Sequence, residues 1–165
     1  MKKVFYTITA LLIILSLSGC NSKIEGEQGL IDRAREEINV ADADTIDIEI
    51  AGVSEVDDNM LFWFVTGNEY QKHEYFPINF KRVGEDQYEF VRIYKAYDRA
   101  YEIYAVEWNN GYSFLINNEN CQSIVLTNAI GETQTVEVSK LPFVYYYDEL
   151  PEGGYSFLDA NGEEL

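Results

Sequence analysis

Tyr101-Glu102-Ile103-Tyr104-Ala105-Val106-Glu107-Trp108-Asn109-Asn110-Gly111-Tyr112-Ser113-Phe114-Leu115 sets two apolar, aromatic-rich runs on either side of a tight turn. Aromatic and β-branched residues favour the pleated surface of a strand. Asn110 and Gly111 both tolerate positive φ, which a type I′ hairpin turn requires. A two-residue loop at Asn110-Gly111 predicts that Trp108 faces Ser113 and Val106 faces Leu115. The stretch therefore reads as an antiparallel hairpin.

Outward from this hairpin the same grammar repeats. Downstream, Ser123 to Thr127 and Thr135 to Val138 flank Asn128-Ala129-Ile130-Gly131-Glu132, a second hairpin. Phe143 to Tyr147 and Tyr155 to Leu158 are further strands, and Asn161-Gly162 makes a last turn. Upstream, Tyr88 to Tyr97 forms a strand after Gly84-Glu85-Asp86. Phe76, Ile78 and Phe80 alternate, and Pro77 among them predicts an edge position or a bulge. Met60 to Val65 is apolar on both faces, as a central strand would be. Ile46, Ile48 and Ile50 alternate with Asp47 and Glu49, a half-buried strand.

One segment has a different period. Leu30, Ile31, Ala34 and Ile38 fall on one face at helical spacing. Asp32, Arg33, Arg35, Glu36 and Glu37 fill the other, giving an amphipathic helix of about three turns. Short connections favour sequential antiparallel strands. The expected fold is mainly β: an antiparallel sandwich or partly closed barrel with one N-terminal helix packed on it. An α+β domain with a single antiparallel sheet is the alternative. Gly111-Tyr112-Ser113-Phe114-Leu115 recurs as Gly154-Tyr155-Ser156-Phe157-Leu158. Two copies cannot close a propeller, so the echo reads as a shared turn-then-strand solution, with remnant duplication as the alternative.

The first twenty residues are of another kind. Met1-Lys2-Lys3 is basic, and Val4 to Leu17 is a 14-residue apolar stretch, too short for a spanning helix of about 20 apolar residues. It ends in Leu17-Ser18-Gly19-Cys20. These four residues resemble the lipobox of bacterial lipoproteins, an aliphatic residue and two small ones before a cysteine. The resemblance implies a signal peptide over 1–19 and fatty acyl chains, palmitate among them, on Cys20. It covers residues 1 to 20 alone. Two acyl chains hold a protein stably where one would be marginal. Residues 20–29 then read as the lipidated cysteine and a short polar tether, and 30–165 as a single acidic β-rich domain. The expected location is the extracytoplasmic face of a cell membrane. A Gram-positive envelope is favoured, and an outer membrane is the alternative. Asn21 is not the Asp that retains many Gram-negative lipoproteins at the inner membrane.

Charge excludes one class of partner. Beyond position 20 stand ten basic residues against 29 acidic, a net charge of −19 (10 − 29). Such a surface is repelled by phosphate backbones, which argues against nucleic acid. Anionic headgroups repel it too, so the domain is not expected to lie flat on the bilayer. Of the two cysteines, Cys121 has no partner once Cys20 is lipidated, and it reads as a buried, small apolar residue.

Catalytic sets are scarce. His73 is the one histidine, with no nucleophile-elbow pattern around any Ser, and one histidine excludes the His-based zinc sites. The clusters Asp42/Asp44, Glu55/Asp57/Asp58 and Asp159/Glu163/Glu164 lack the spacing of a calcium loop. Gly29 and Gly67 stand alone rather than in a phosphate loop, so no cofactor is expected. Tyr145, Tyr146 and Tyr147 are consecutive, so a strand must turn at least one ring away from a single core. Exposed tyrosine beside Asp148 and Glu149 could stack on a sugar or seat a cationic peptide. Trp63 and Trp108 read as core. The expected function is a non-catalytic binding module, lipid-anchored in the envelope, for a protein, peptide or glycan. The alternatives are a small hydrolase using carboxylates and a self-protection inhibitor of a cationic partner.

Overall fold

Ile24 brings the chain into the fold earlier than its polar surroundings predict. The computed structural model describes residues 23–38, 45–67, 74–100 and 102–165. Cys20, His73, Asp42 and Asp44 lie outside the described residues. Strand β1 (Ile24–Glu25) pairs with the start of β5 (Gln87–Ile93), Ile24 opposite Tyr88 and Glu25 opposite Gln87. Helix α1 (Gly26–Glu37) follows at once, four residues ahead of Leu30. The stretch read as tether to Gly29 is therefore part of the domain from Ile24 onward. The buried Ile24 side chain, the pairing with β5 and the Gly26 N–H donating to Asp86 O at 3.0 Å dock it, with Glu25, Glu27 and Gln28 left exposed. Leu30 and Ala34 form the buried stripe, and the helix stops where Ile38 turns extended.

Strands β2 (Ile48–Val56), β3 (Asn59–Thr66) and β4 (Glu74–Gly84) complete sheet A with β1 and β5, in the order β1-β5-β4-β3-β2. The alternating isoleucines begin a strand at Ile48; Ile46 precedes it, and its carbonyl accepts from Arg35 Nη1 at 2.7 Å. Strand β3 is buried on both faces, as its unbroken apolar run predicts. Met60, Phe62 and Phe64 face the helix, while Leu61 and Trp63 face the opposite way. Pro77 is neither at a sheet edge nor at the bulge. It lies in β4 just beyond the end of the β5 ladder, which starts at Ile78–Ile93. The β4–β5 ladder bulges between the pairs Asn79–Arg92 and Phe80–Phe90, which leaves Val91 unmatched, and again between Arg82–Tyr88 and Gly84–Gln87.

The run expected as one strand from Tyr88 to Tyr97 breaks at Tyr94, Lys95 and Ala96, where the chain crosses to a second sheet. Sheet B contains β6 (Tyr97–Ala100), β7 (Ile103–Trp108), β8 (Gly111–Ile116) and β11 (Phe143–Tyr147), in the order β11-β8-β7-β6. Sheet C contains β9 (Ser123–Thr127), β10 (Thr133–Glu137) and β12 (Gly154–Leu158), with β9 in the middle. The β9–β10 hairpin turns as the sequence predicts. Asn128 Oδ1 accepts from the backbone N–H groups of Ile130 and Glu132 across its loop.

Three apolar layers hold four stacked elements: α1, sheet A, sheet B and sheet C. Leu30, Ala34, Phe62 and Phe80 lie in the first layer. Trp63, Val106, Trp108 and Leu115 lie in the second, between sheets A and B. Phe114, Ile116, Cys121, Ile124 and Phe157 lie in the third, between sheets B and C. Sheets A and B also approach at β2 and β11, where a Cβ on Gly52 would come within 2.5 Å of Val144 Cγ2. With β5 running into β6 on the other side, this pair of sheets is a partly closed barrel. The fold is mainly β, and the single-sheet alternative does not hold.

The β7–β8 hairpin departs from its predicted register. Its loop is Asn109-Asn110, at φ 50° and 63°, and not Asn110-Gly111. Trp108 therefore pairs with Gly111, and Val106 with Ser113. Each partner slides by two residues, so every side chain keeps its face. The cause is a close approach: a Cβ on Gly111 would sit 2.1 Å from the carbonyl oxygen of Tyr147. Glycine is needed there as a strand residue without a side chain, while two asparagines take the left-handed turn.

Candidate functional site

Asn79 breaks the apolar pattern of β4 on the face turned toward sheet B, and it is nearly fully buried. Its Oδ1 accepts from Trp108 Nε1 at 3.2 Å. That pair forms the floor of an open cleft of about 490 Å³ at one end of the sandwich. Sheet A supplies Asn59 and Arg92 to the wall, and the β7–β8 hairpin supplies Glu107, Asn109 and Asn110. The Arg92 guanidinium lies 4.0 Å from the centre of the Tyr94 ring and also donates to the Tyr94 hydroxyl. The lining thus combines carboxamides, which both donate and accept, with one carboxylate, one guanidinium and two aromatic rings. The carboxylate pair that glycoside hydrolysis uses is not present here: Glu107 is the one acid of the lining.

The three consecutive tyrosines are placed otherwise than an exposed platform requires. Sheet B is covered on both faces, so no ring of β11 looks away from a core. Tyr147 is buried between sheets B and C, and its hydroxyl donates to Glu149 Oε2 at 3.3 Å. Burial pushes that hydroxyl's pKa up, and the Glu149 carboxylate adds to the effect. Tyr145 is half-buried on the same face, stacked with Phe143, and its hydroxyl accepts from Gln134 Nε2. Tyr146 points the other way, T-shaped against Trp108 with ring centroids 5.3 Å apart and its hydroxyl donating to Asn109 O at 2.8 Å. It therefore props the cleft wall from behind. Burial raises its pKa as well.

A second buried polar group lies deeper between the same sheets. Ser113 Oγ accepts from Trp63 Nε1 at 2.7 Å and shares a hydrogen bond with Ser54 Oγ at 2.8 Å. Both tryptophans are core residues with their N–H groups satisfied, as buried indoles require.

The remaining candidates are dispersed. Cys121 is buried, with its thiol toward Ser123 O at 3.7 Å, and burial pushes its pKa up, which suits an inert core residue. Glu55 pairs with Arg82 beside the β2–β3 turn. Asp159 Oδ1 accepts from the N–H groups of Glu163 and Asn161, closing the last turn, and these bonds hold its carboxyl below the usual range. Among the described residues no group of three His, Cys, Asp or Glu side chains could hold a metal ion. None of their helices is long and apolar enough to cross a membrane.

Sequence reading missed the cleft because its walls come from four strands far apart in the chain. Two signals were present in outline. Asn79 is polar on a covered face, and Arg92 interrupts the apolar run Phe90-Val91-Arg92-Ile93. Compared with protein-family models, with curated proteins and with solved structures, the chain matches none.

Proposed function

We propose that this chain is a lipid-anchored extracytoplasmic binding protein whose cleft takes a hydroxyl-rich ligand of the glycan class. The anchor rests on Leu17-Ser18-Gly19-Cys20 behind a basic and apolar leader. The cleft carries the binding half. Asn59, Asn79, Asn109 and Asn110 place carboxamides around it, and Tyr94 and Trp108 add rings. Carboxamides satisfy the paired donor and acceptor of a sugar hydroxyl, and rings pack on its apolar face. An acidic domain that captured a cationic protein would use its net charge instead. Binding of that kind weakens steeply with salt, whereas carboxamide-mediated binding does not.

Two experiments separate the halves. Wild-type protein in its host takes up labelled palmitate and sediments with membranes, and Cys20→Ser does neither. A Cys20→Ser protein that stays in the membrane fraction overturns the anchor. Screening the detergent-solubilised protein against envelope oligosaccharides is expected to give binding that Asn59→Ala and Glu107→Gln each weaken by roughly tenfold, the effect of one lost polar contact to a ligand. Binding unaffected by either variant overturns the cleft assignment.

A further inference from the structure

The corner where β5 runs into β6 is unlike the rest of the surface. Val91, Ile93 and Tyr97 are exposed there, Tyr97 at 58%. Arg92, Lys95 and Arg99 are three of the ten basic residues beyond position 20, and the nine residues from Val91 to Arg99 contain one acid, Asp98. The nine residues thus sum to +2 (3 − 1) in a domain of net charge −19, and the carboxylates of Asp98, Glu102 and Glu74 lie behind them near Tyr104 of the paired strand β7. Arg92, Lys95 and Arg99 are all exposed, Arg92 stacked on Tyr94 at the cleft mouth and the other two on the corner. The Arg99 guanidinium lies over the rings of Tyr97 and Tyr155.

The register of β1 sets the direction from which the chain reaches Ile24. Glu25 pairs with Gln87 and Ile24 with Tyr88, so the chain enters the fold from the side of β5 that leads to Val91 and Ile93. Cys20 precedes Ile24 by four residues, a reach of at most about 14 Å. Among the described residues nothing pairs with the β5 edge beyond Tyr88 on that side.

We infer that the corner Val91–Arg99 is the face the domain lays against the bilayer, with Val91, Ile93 and Tyr97 at the level of the headgroups and Lys95 and Arg99 on anionic lipid phosphates. This rests on the reading of Cys20 as the lipid anchor. Net charge argues for a domain that stands off the membrane. Local charge decides instead, because screening confines each interaction to about 8–10 Å. Basic residues at a membrane surface and aromatic residues at its interface both favour this orientation.

The test uses the full lipidated chain reconstituted in vesicles of phosphatidylcholine and phosphatidylglycerol. One sample carries an environment-sensitive dye on Val91→Cys, and the other carries it on Ile130→Cys. Ile130 is exposed in the β9–β10 turn of sheet C, on the hairpin away from the β12 edge that Arg99 covers. Headgroup-quencher lipids are expected to quench the dye at position 91 and to leave position 130 in water. Lys95→Glu with Arg99→Glu, or vesicles of phosphatidylcholine alone, are expected to reduce contact at position 91 on the order of tenfold, since each basic residue near an anionic surface contributes a severalfold bias. Equal, weak quenching at both positions in protein that sediments with the vesicles overturns the contact and leaves the anchor standing. Protein that fails to sediment overturns the anchor and the contact together. Energy transfer between position-91 dyes in vesicle-free micelles assigns the corner to self-association and also overturns the contact.

Discussion

Phe114 and Phe157 hold the same place in the two copies of Gly-Tyr-Ser-Phe-Leu and pack on one another edge to face, with ring centroids 6.0 Å apart. The copies are β8 and β12, so the echo meets itself across the interface between sheets B and C. Tyr155 joins the pair, 5.0 Å from Phe114 and 5.6 Å from Tyr112. Both copies start a strand after a turn, yet their glycines serve different ends. Gly154 has φ 95° with nothing near its missing Cβ, whereas Gly111 makes room for the Tyr147 carbonyl. A common solution to turn and strand accounts for the likeness without a repeated fold unit.

The first expectation concerns that contact. Phe114→Leu and Phe157→Leu should each destabilise the domain, and the double variant should lose less than the sum. A coupling of about 0.5–1.5 kcal/mol is the scale for an edge-to-face aromatic pair beyond its buried area. Urea unfolding of the four proteins measures it. A coupling within error of zero would mean that the rings share a core without interacting specifically.

The serines of the two copies give an internal control. Ser113 is buried and holds Trp63 Nε1 and Ser54 Oγ, while Ser156 is half-buried in β12, which packs on sheet B alone. Ser113→Ala strands a buried indole N–H, at a cost of about 1–3 kcal/mol. Ser54→Ala should cost less, because Ser113 still accepts from Trp63. Ser156→Ala should stay within about 0.5 kcal/mol of wild type. Equal effects at Ser113 and Ser156 would contradict the assignment of the buried network.

What the sequence discloses here follows from what period and turn chemistry encode. The alternating runs, the helix stripe from Leu30 to Ala34 and the doubly buried β3 are local patterns, and all were legible. The third layer was not. Ser113 puts a polar side chain into the otherwise apolar run of β8, which hides that both faces of the strand are covered. The same blindness makes Tyr145, Tyr146 and Tyr147 look like a strand with a bare side. The hairpin register was misread because Gly111 resembles a turn glycine, and its real constraint is a carbonyl 36 residues later in sequence (147 − 111). Cleft residues Asn59, Asn79, Arg92 and Glu107 come together through sheet pairing alone, which no single-segment pattern records.

That hairpin makes a sharp prediction. Gly111→Ala drives a Cβ into the Tyr147 carbonyl and should cost about 1–3 kcal/mol, the scale of overpacking, at the upper end because backbone must move. Asn110→Gly should be neutral or mildly stabilising, since φ 63° suits glycine without strain. If Gly111 were itself the left-handed turn residue and Asn110 the first loop position, strain and not a clash would set the cost, and Gly111→Asn would be tolerated. Thermal unfolding of Gly111→Ala, Gly111→Asn and Asn110→Gly distinguishes the two registers.

The last expectation is alkaline. Tyr75 is buried between sheets A and B, its ring 5.1 Å from that of Tyr104, and its hydroxyl accepts from Asn117 Nδ2 at 2.7 Å. Burial, with the Glu102 carboxylate nearby, pushes its pKa up to about 12. Burial raises Tyr104 as well, and the Asp98 carboxylate adds to it. An unfolded tyrosine titrates near pH 10. Between about pH 10 and 12 the unfolded chain has therefore released a proton that the native state retains, and stability must fall as pH rises through that window. Below it the contribution is fully present. Ultraviolet titration of the native protein should show a tyrosine step near pH 12 that disappears in Tyr75→Phe. The same variant should lose stability less steeply than wild type across that window, and an unchanged slope would show that Tyr75 ionises no later in the native state than in the unfolded chain.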